Sequence, residues 1–178
     1  MAYLGVSEYE RWMRSAIRTL ESAGRDAERG DYNWACFKAH QAAEKAFKAL
    51  LWGVGAPRAG HSLIHMLNHS AQELGLKAPE DVREACLVLD KHYVPTRHPN
   101  AWAEGIPEDY YFKGEAEDAI AKARRVVEWV EEVWRVIERR ALRDRAIEVA
   151  RELAKCASSK LGEVVAVLHG SYASRTLS

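Results

Sequence analysis

The sequence predicts an all-α protein: an antiparallel up-down-up-down four-helix bundle with an extra short helix, followed by a short C-terminal helix and a strand. Three observations lead there. Apolar residues recur every three or four positions along most of the chain, short glycine- and proline-bearing stretches interrupt that period, and just one continuous β-branched run is present. Long amphipathic segments with short connections pack helix on helix.

Ser7 is expected to cap the first helix, with Glu8 and Glu10 in its first turn and Tyr9, Trp12, Met13, Ala16, Leu20, Ala23 and Ala27 recurring every three or four residues. Gly30-Asp31 ends it. A second helix, about Tyr32 to Val54, carries Ala35, Ala39, Ala42, Ala43, Ala46 and Ala49, small faces on which another helix can lie close. Gly53, Gly55 and Pro57 stop it. Ser62 is the expected cap of a shorter segment through Leu63, Leu67 and Leu74, which Gly75 closes. Pro79-Glu80-Asp81 opens another helix, with Val82, Ala85, Cys86 and Leu89 inward. The longest helix follows, from Ala116 through Val126, Val130 and Trp134 to Ile137, at near-heptad spacing. From Ile147 the pattern continues as a further helix to Leu161-Gly162. The run Val164-Val165-Ala166-Val167-Leu168 is the strand candidate.

A chain of 178 residues is long enough for a proper core. We assign residues 1–141 to the bundle and 142–178 to a C-terminal appendage. Lys+Arg and Asp+Glu are both 26, so no whole-molecule field draws the protein to nucleic acid or an anionic membrane, and any such contact has to be local. The content of 29% charged and 48% hydrophobic residues, interleaved at helical spacing, excludes a disordered chain. Cys36, Cys86 and Cys156 are far apart and form no CxxC pair, which disfavours a disulfide framework or zinc site and suits a reducing compartment. With no apolar run of about 18 residues and no leader-like N-terminus, the expected location is cytoplasmic, without a membrane partner.

The richest stretch for chemistry is Tyr93-Val94-Pro95-Thr96-Arg97-His98-Pro99-Asn100-Ala101, a junction between helical segments. Its prolines bias Val94 and His98 away from the α region, so an extended loop is expected. Arg97 there is either a structural cap or carboxylate partner, or a site residue. On the second helix, His40, Glu44 and Lys48 follow at four-residue steps and share a face. That stripe has two readings: a buried network that fixes helix register, or the wall of a cleft with Arg97. His61, His65 and His69 also share a spacing of four, but no carboxylate or cysteine lies on that face, and no metal site is assigned. No cofactor is called for, and phosphate-cradling P-loop glycines are absent.

Three segments, Phe37 to Leu51, Gly60-His61-Ser62-Leu63 and Leu89 to Ala101, together resemble the HEPN domain (higher eukaryotes and prokaryotes nucleotide-binding), over roughly Ser7 to Ala141. The resemblance implies a four-helix bundle that forms homodimers and binds a nucleotide or RNA, with Tyr93, Arg97, His98, His40, Glu44 and Lys48 as the nucleotide-binding candidates. Many members are metal-independent endoribonucleases that use an Arg and a His separated by four to six residues. Arg97 stands in about the right place, but Trp102, Ala103 and Glu104 occupy the histidine positions and the nearby histidine is the adjacent His98. Arg97 and His98 are therefore the only catalytic candidates. The C-terminal run into Gly170-Ser171-Tyr172-Ala173 is similar to the opening of minimal nucleotidyltransferases, in which Gly170 and Ser171 would hold a triphosphate. The metal-binding carboxylates of that domain would lie past Ser178. The expectation is a nucleotide-binding or regulatory protein that works with a nucleotidyltransferase domain or protein, as in toxin-antitoxin systems. The alternatives are an endoribonuclease and a structural dimerisation module.

Overall fold

The computed structural model describes residues 4–161. They form five α-helices and two short 3-10 turns in the order α1 (Val6–Arg29), α2 (Tyr32–Gly53), α3 (Leu63–Leu74), α4 (Glu80–Asp90), Pro99–Ala101, Pro107–Asp109 and α5 (Lys113–Leu161). The all-α bundle is as expected, and no strand occurs among the described residues. The run Val164 to Leu168, with Gly170 and Ser171, lies outside them. The chain divides into two compact units after Glu132: α1 to α4 and the start of α5 belong to the first, the rest of α5 to the second.

Within the first unit, the turn at Gly30-Asp31 folds α1 back along α2 as an antiparallel hairpin. Gly30 ends α1 at φ 89°, a left-handed conformation that a residue with a Cβ rarely adopts. The alanines of α2 do what their size allows. Ala35, Ala39, Ala42, Ala43, Ala46 and Ala49 are all fully buried, so neighbouring backbones approach closely. Phe47, Leu50 and Leu51 fill the remaining volume with Leu63 and Leu67 of α3, Leu89 of α4 and Val126 and Val130 of α5. Phe47 meets Trp129 with ring centroids 6.0 Å apart. Lys38 of α2 pairs with the buried Asp26 of α1 at 2.6 Å.

Four local expectations need correction. Helix α1 is capped at Gly5, not at Ser7, because the Gly5 N–H is tied to Gly53 O at 2.8 Å and Gly5 O already accepts from Glu8 and Tyr9. A Cβ on Gly5 would stand 3.1 Å from Trp52 O. At α3, Ser62 holds the cap position but its side chain does not cap. Its hydroxyl donates instead to Asp90 Oδ2 at 3.0 Å, and Asp90, at the far end of α4, accepts from the N–H groups of Leu63 (2.7 Å) and Ile64 (3.2 Å). The stretch after Tyr93 is not uniformly extended. Pro95 sits inside a turn closed by Arg97 N–H to Val94 O (3.3 Å), a place where its fixed φ suits the second residue, and His98 alone is shown extended, at φ −123°. Finally, the separate helix expected from Ile147 is part of α5. Glu115 to Leu161 contains neither glycine nor proline, so nothing stops the helix between the two apolar patterns.

Asp90 bridges two helices by satisfying amides that α3 cannot pair within itself. Asp90→Ala is expected to cost about 2 kcal/mol of stability. Asp90→Asn, which keeps an acceptor oxygen, should cost less. Urea denaturation followed by circular dichroism measures both, and a wild-type midpoint for the alanine variant would remove Asp90 from this role.

Candidate functional site

Three elements converge in the first unit: the polar face of α2, the segment leading into α3, and the loop after α4. On α2 the four-residue step places Phe37, His40, Gln41, Glu44 and Lys48 along one side. His40 is fully buried. Gln41 Nε2 donates to His40 Nδ1 (3.2 Å) and to Glu44 Oε2 (3.2 Å). That leaves the proton of neutral His40 on Nε2, which faces Asp90 Oδ1 at 3.5 Å, an electrostatic contact too long for a full hydrogen bond. Burial alone would push the Asp90 carboxyl up. The facing His40, the Leu63 and Ile64 amides and the Ser62 hydroxyl outweigh it and hold the group below the usual carboxylate range.

Glu44, unlike the half-buried Asp90, is a buried carboxylate, and both its oxygens are engaged. Lys48 Nζ donates to Oε1 at 2.7 Å, and His61 Nδ1 lies 3.1 Å from Oε2. Burial raises its pKa, but the hydrogen bonds and charges of Lys48 and His61 win, and the net direction is downward. An ionised carboxylate can only accept, so the Nδ1 of His61 is the donor in this contact. The His61 side chain is 54% exposed, against 4% for Glu44.

Tyr93 gathers these groups. His61 stacks on its ring at 4.7 Å and 18°, and His40 lies 5.0 Å away. Arg97 is fixed on the same shelf: Nε donates to Tyr93 O at 2.9 Å, while the guanidinium carbon sits 4.5 Å from the ring centroids of both Phe37 and Tyr93. Each such contact is worth about 0.5–1 kcal/mol at a partly exposed site. Its terminal nitrogens have no hydrogen-bond partner among the described residues. Lys48, besides its bond to Glu44, lies 5.7 Å from the Trp12 ring.

Of the residues singled out in the sequence, His40, Glu44, Lys48, Tyr93 and Arg97 thus come together. His98 is exposed, and its side chain makes none of these contacts. His61, His65 and His69 do not form a stripe: His61 precedes α3 and turns to Glu44, while His69 lies 3.9 Å from Glu73. Among the described residues no group of three histidine, cysteine or carboxylate side chains could hold a metal ion. Burial pushes the Cys36 and Cys86 thiols up to about 12, so neither is a nucleophile at neutral pH. A groove of about 650 Å³ runs along α1 past Arg11, Arg14 and Arg18, but contains no residue of this cluster.

A HEPN domain family model matches residues 9–133. The chain belongs to the HEPN domain family. The HEPN match ends at the boundary between the two compact units. Among solved structures, this HEPN chain is similar to a Thermus thermophilus protein at 40% identity, TM-score 0.67, over 70% of this chain and 96% of that one. An archaeal HEPN homologue matches at 37% identity, TM-score 0.59, over 70% and 95%. A HEPN domain protein from Thermotoga maritima matches at 33% identity, TM-score 0.56, over 70% and 97%. No curated protein matches the chain.

Sequence reasoning passed over His61, Asp90, Phe37 and Gln41 as site residues. Asp90 had a detectable signal: a carboxylate in the last turn of a helix opposes that helix's dipole, so its partner had to lie elsewhere. Beneath the shelf, Asn33 donates to Thr96 O and Glu108 Oε1, both at 3.0 Å, and Trp102 Nε1 to Pro95 O at 2.8 Å, which anchors the loop. Buried His92 lies 4.0 Å from Glu115, and burial above all pushes its pKa down to about 4.

The unfolded chain takes up that proton near pH 6.5, whereas the folded chain resists until about pH 4. The contribution to stability is complete above pH 6.5 and is lost as pH falls toward 4. His92→Phe is expected to remove about 2 kcal/mol from the difference in stability between pH 7.5 and pH 4.5. Urea titrations of both proteins at the two pH values decide it, and equal losses would exclude His92 as the source.

Proposed function

We propose that this HEPN domain binds a nucleotide on the Phe37–Tyr93–His61 shelf and acts as a nucleotide-binding, regulatory partner of a nucleotidyltransferase. One observation carries the reading: the Arg97 guanidinium is held in place by two rings and a carbonyl while its terminal donors remain unpaired. An oriented guanidinium beside aromatic faces suits a phosphate with a stacked base. Lys48 and His61 add cationic and hydrogen-bonding capacity next to it, and both are positioned by Glu44. The transferase half of the reading rests on the likeness of the stretch through Gly170 and Ser171 to the opening of that domain.

Cleavage of RNA is the weaker reading. Trp102, Ala103 and Glu104 fill the positions where a ribonuclease of this family carries its histidine, and His98 stands outside the cluster.

Isothermal titration calorimetry with ATP, GTP, CTP and UTP should give saturable binding of at least one nucleotide. Arg97→Ala, with circular dichroism showing an intact fold, is expected to weaken it about tenfold or more. His98→Ala should leave it near wild type. The absence of heat with every nucleotide overturns the proposal.

A further inference from the structure

The second unit carries a surface that the HEPN match does not reach. From Leu142 the exposed side of α5 presents Leu142, Ala146, Val149, Leu153 and Cys156, spaced four, three, four and three residues apart. At 100° per residue these positions fall within an arc of about 80°. Leu142, Val149 and Leu153 are 57%, 46% and 66% exposed, and the Cys156 thiol is exposed with them. A four-three apolar repeat is the pattern of a helix that packs along another helix, with each side chain seated among four of the partner's. Four exposed apolar positions in line are unfavourable in water unless something covers them.

The flanks indicate what that something is. Arg145 and Glu152 lie on the same edge of the repeat, seven residues apart, both exposed and with no ion-pair partner among the described residues. On the other edge are Arg143, Ala150 and Ala157, mostly small residues that permit close approach. If a second copy is laid antiparallel, with Leu142 against the partner's Leu153 and Ala146 against the partner's Val149, the two-fold axis repeats both layers. Two leucine pairs then close the ends, and two alanine–valine pairs fill the middle. In the same register Arg145 of each copy comes opposite Glu152 of the other, twice. The parallel alternative offers no such pairing, since Arg145 and Glu152 would each face an alanine edge. Apolar layers and charges thus agree on one arrangement.

We infer that the Leu142–Cys156 face of α5 is a self-association surface that pairs antiparallel with a second copy of this chain. The pairing is short, so it is weak alone and depends on protein concentration. It places the two Cys156 residues about 25 Å apart, at 1.5 Å of rise per residue, too far for a disulfide.

Sedimentation equilibrium of the full chain tests this directly. The wild type should associate with rising concentration. Arg145→Glu should weaken association about tenfold, because like charges then oppose each other twice. The double variant Arg145→Glu with Glu152→Arg should restore it, which a merely structural effect of either residue would not do. Leu153→Glu should weaken it at least as much. These positions are exposed, and circular dichroism is expected to show unchanged helicity. Under mild oxidation no Cys156-linked dimer should form. Association unaffected by Arg145→Glu and Leu153→Glu, failure of the double variant to restore it, a wild type that never associates, or a rapid Cys156 disulfide dimer would each overturn the inference.

Discussion

The Asp90 carboxylate is the contact on which the site depends. It stands in the last turn of α4, where the helix dipole repels a negative charge. It is stable there because the first amides of α3 and the Ser62 hydroxyl converge on it, and because His40 Nε2 faces it from α2. One side chain therefore joins the start of α3 to the end of α4 and faces the histidine at the centre of α2. His61 is one residue ahead of Ser62, and Tyr93 is three residues beyond Asp90. Fixing this joint brings those two rings face to face.

Glu44 works in the same way one helical turn along α2. A buried carboxylate with an empty acceptor would cost several kcal/mol, but here Lys48, His61 and Gln41 occupy it. The two carboxylates hold the two histidines that flank Tyr93, each oriented from behind. Burial divides the α2 stripe and its neighbours. His40 and Glu44 are buried network groups, whereas Lys48 and His61 are the members that reach the surface. Buried and surface groups are consecutive layers of one network.

Much of the fold was legible because it is local. The alanine faces of α2, the glycine ends of α1 and α3, and the heptad-like pattern of α5 each follow from a period or a backbone preference that a single segment expresses. What was missed depends on pairs distant in sequence. Asp90 caps a helix that begins 27 residues earlier in the chain, measured to Leu63, and the His61–Glu44 contact spans 17. Spacing grouped His61 with His65 and His69, yet His61 precedes α3 and never shares that helix's face. The turn at Pro95 was misjudged for a related reason. Proline restricts its predecessor, but Asn33, Thr96 and Trp102 decide which of the allowed conformations the loop adopts.

Arg97 shows why a site in this family is better identified by its supports than by a motif. Its charge does not offset a carboxylate, since no ion pair engages it among the described residues. Its position is instead determined by a backbone carbonyl and two aromatic faces, which constrain the guanidinium without neutralising it. A cation held over aromatic rings, with its hydrogen-bonding edge open, is ordered without a partner carboxylate. That organisation relies on Tyr93, whose ring is held by the two histidines, which in turn are set by Glu44 and Asp90.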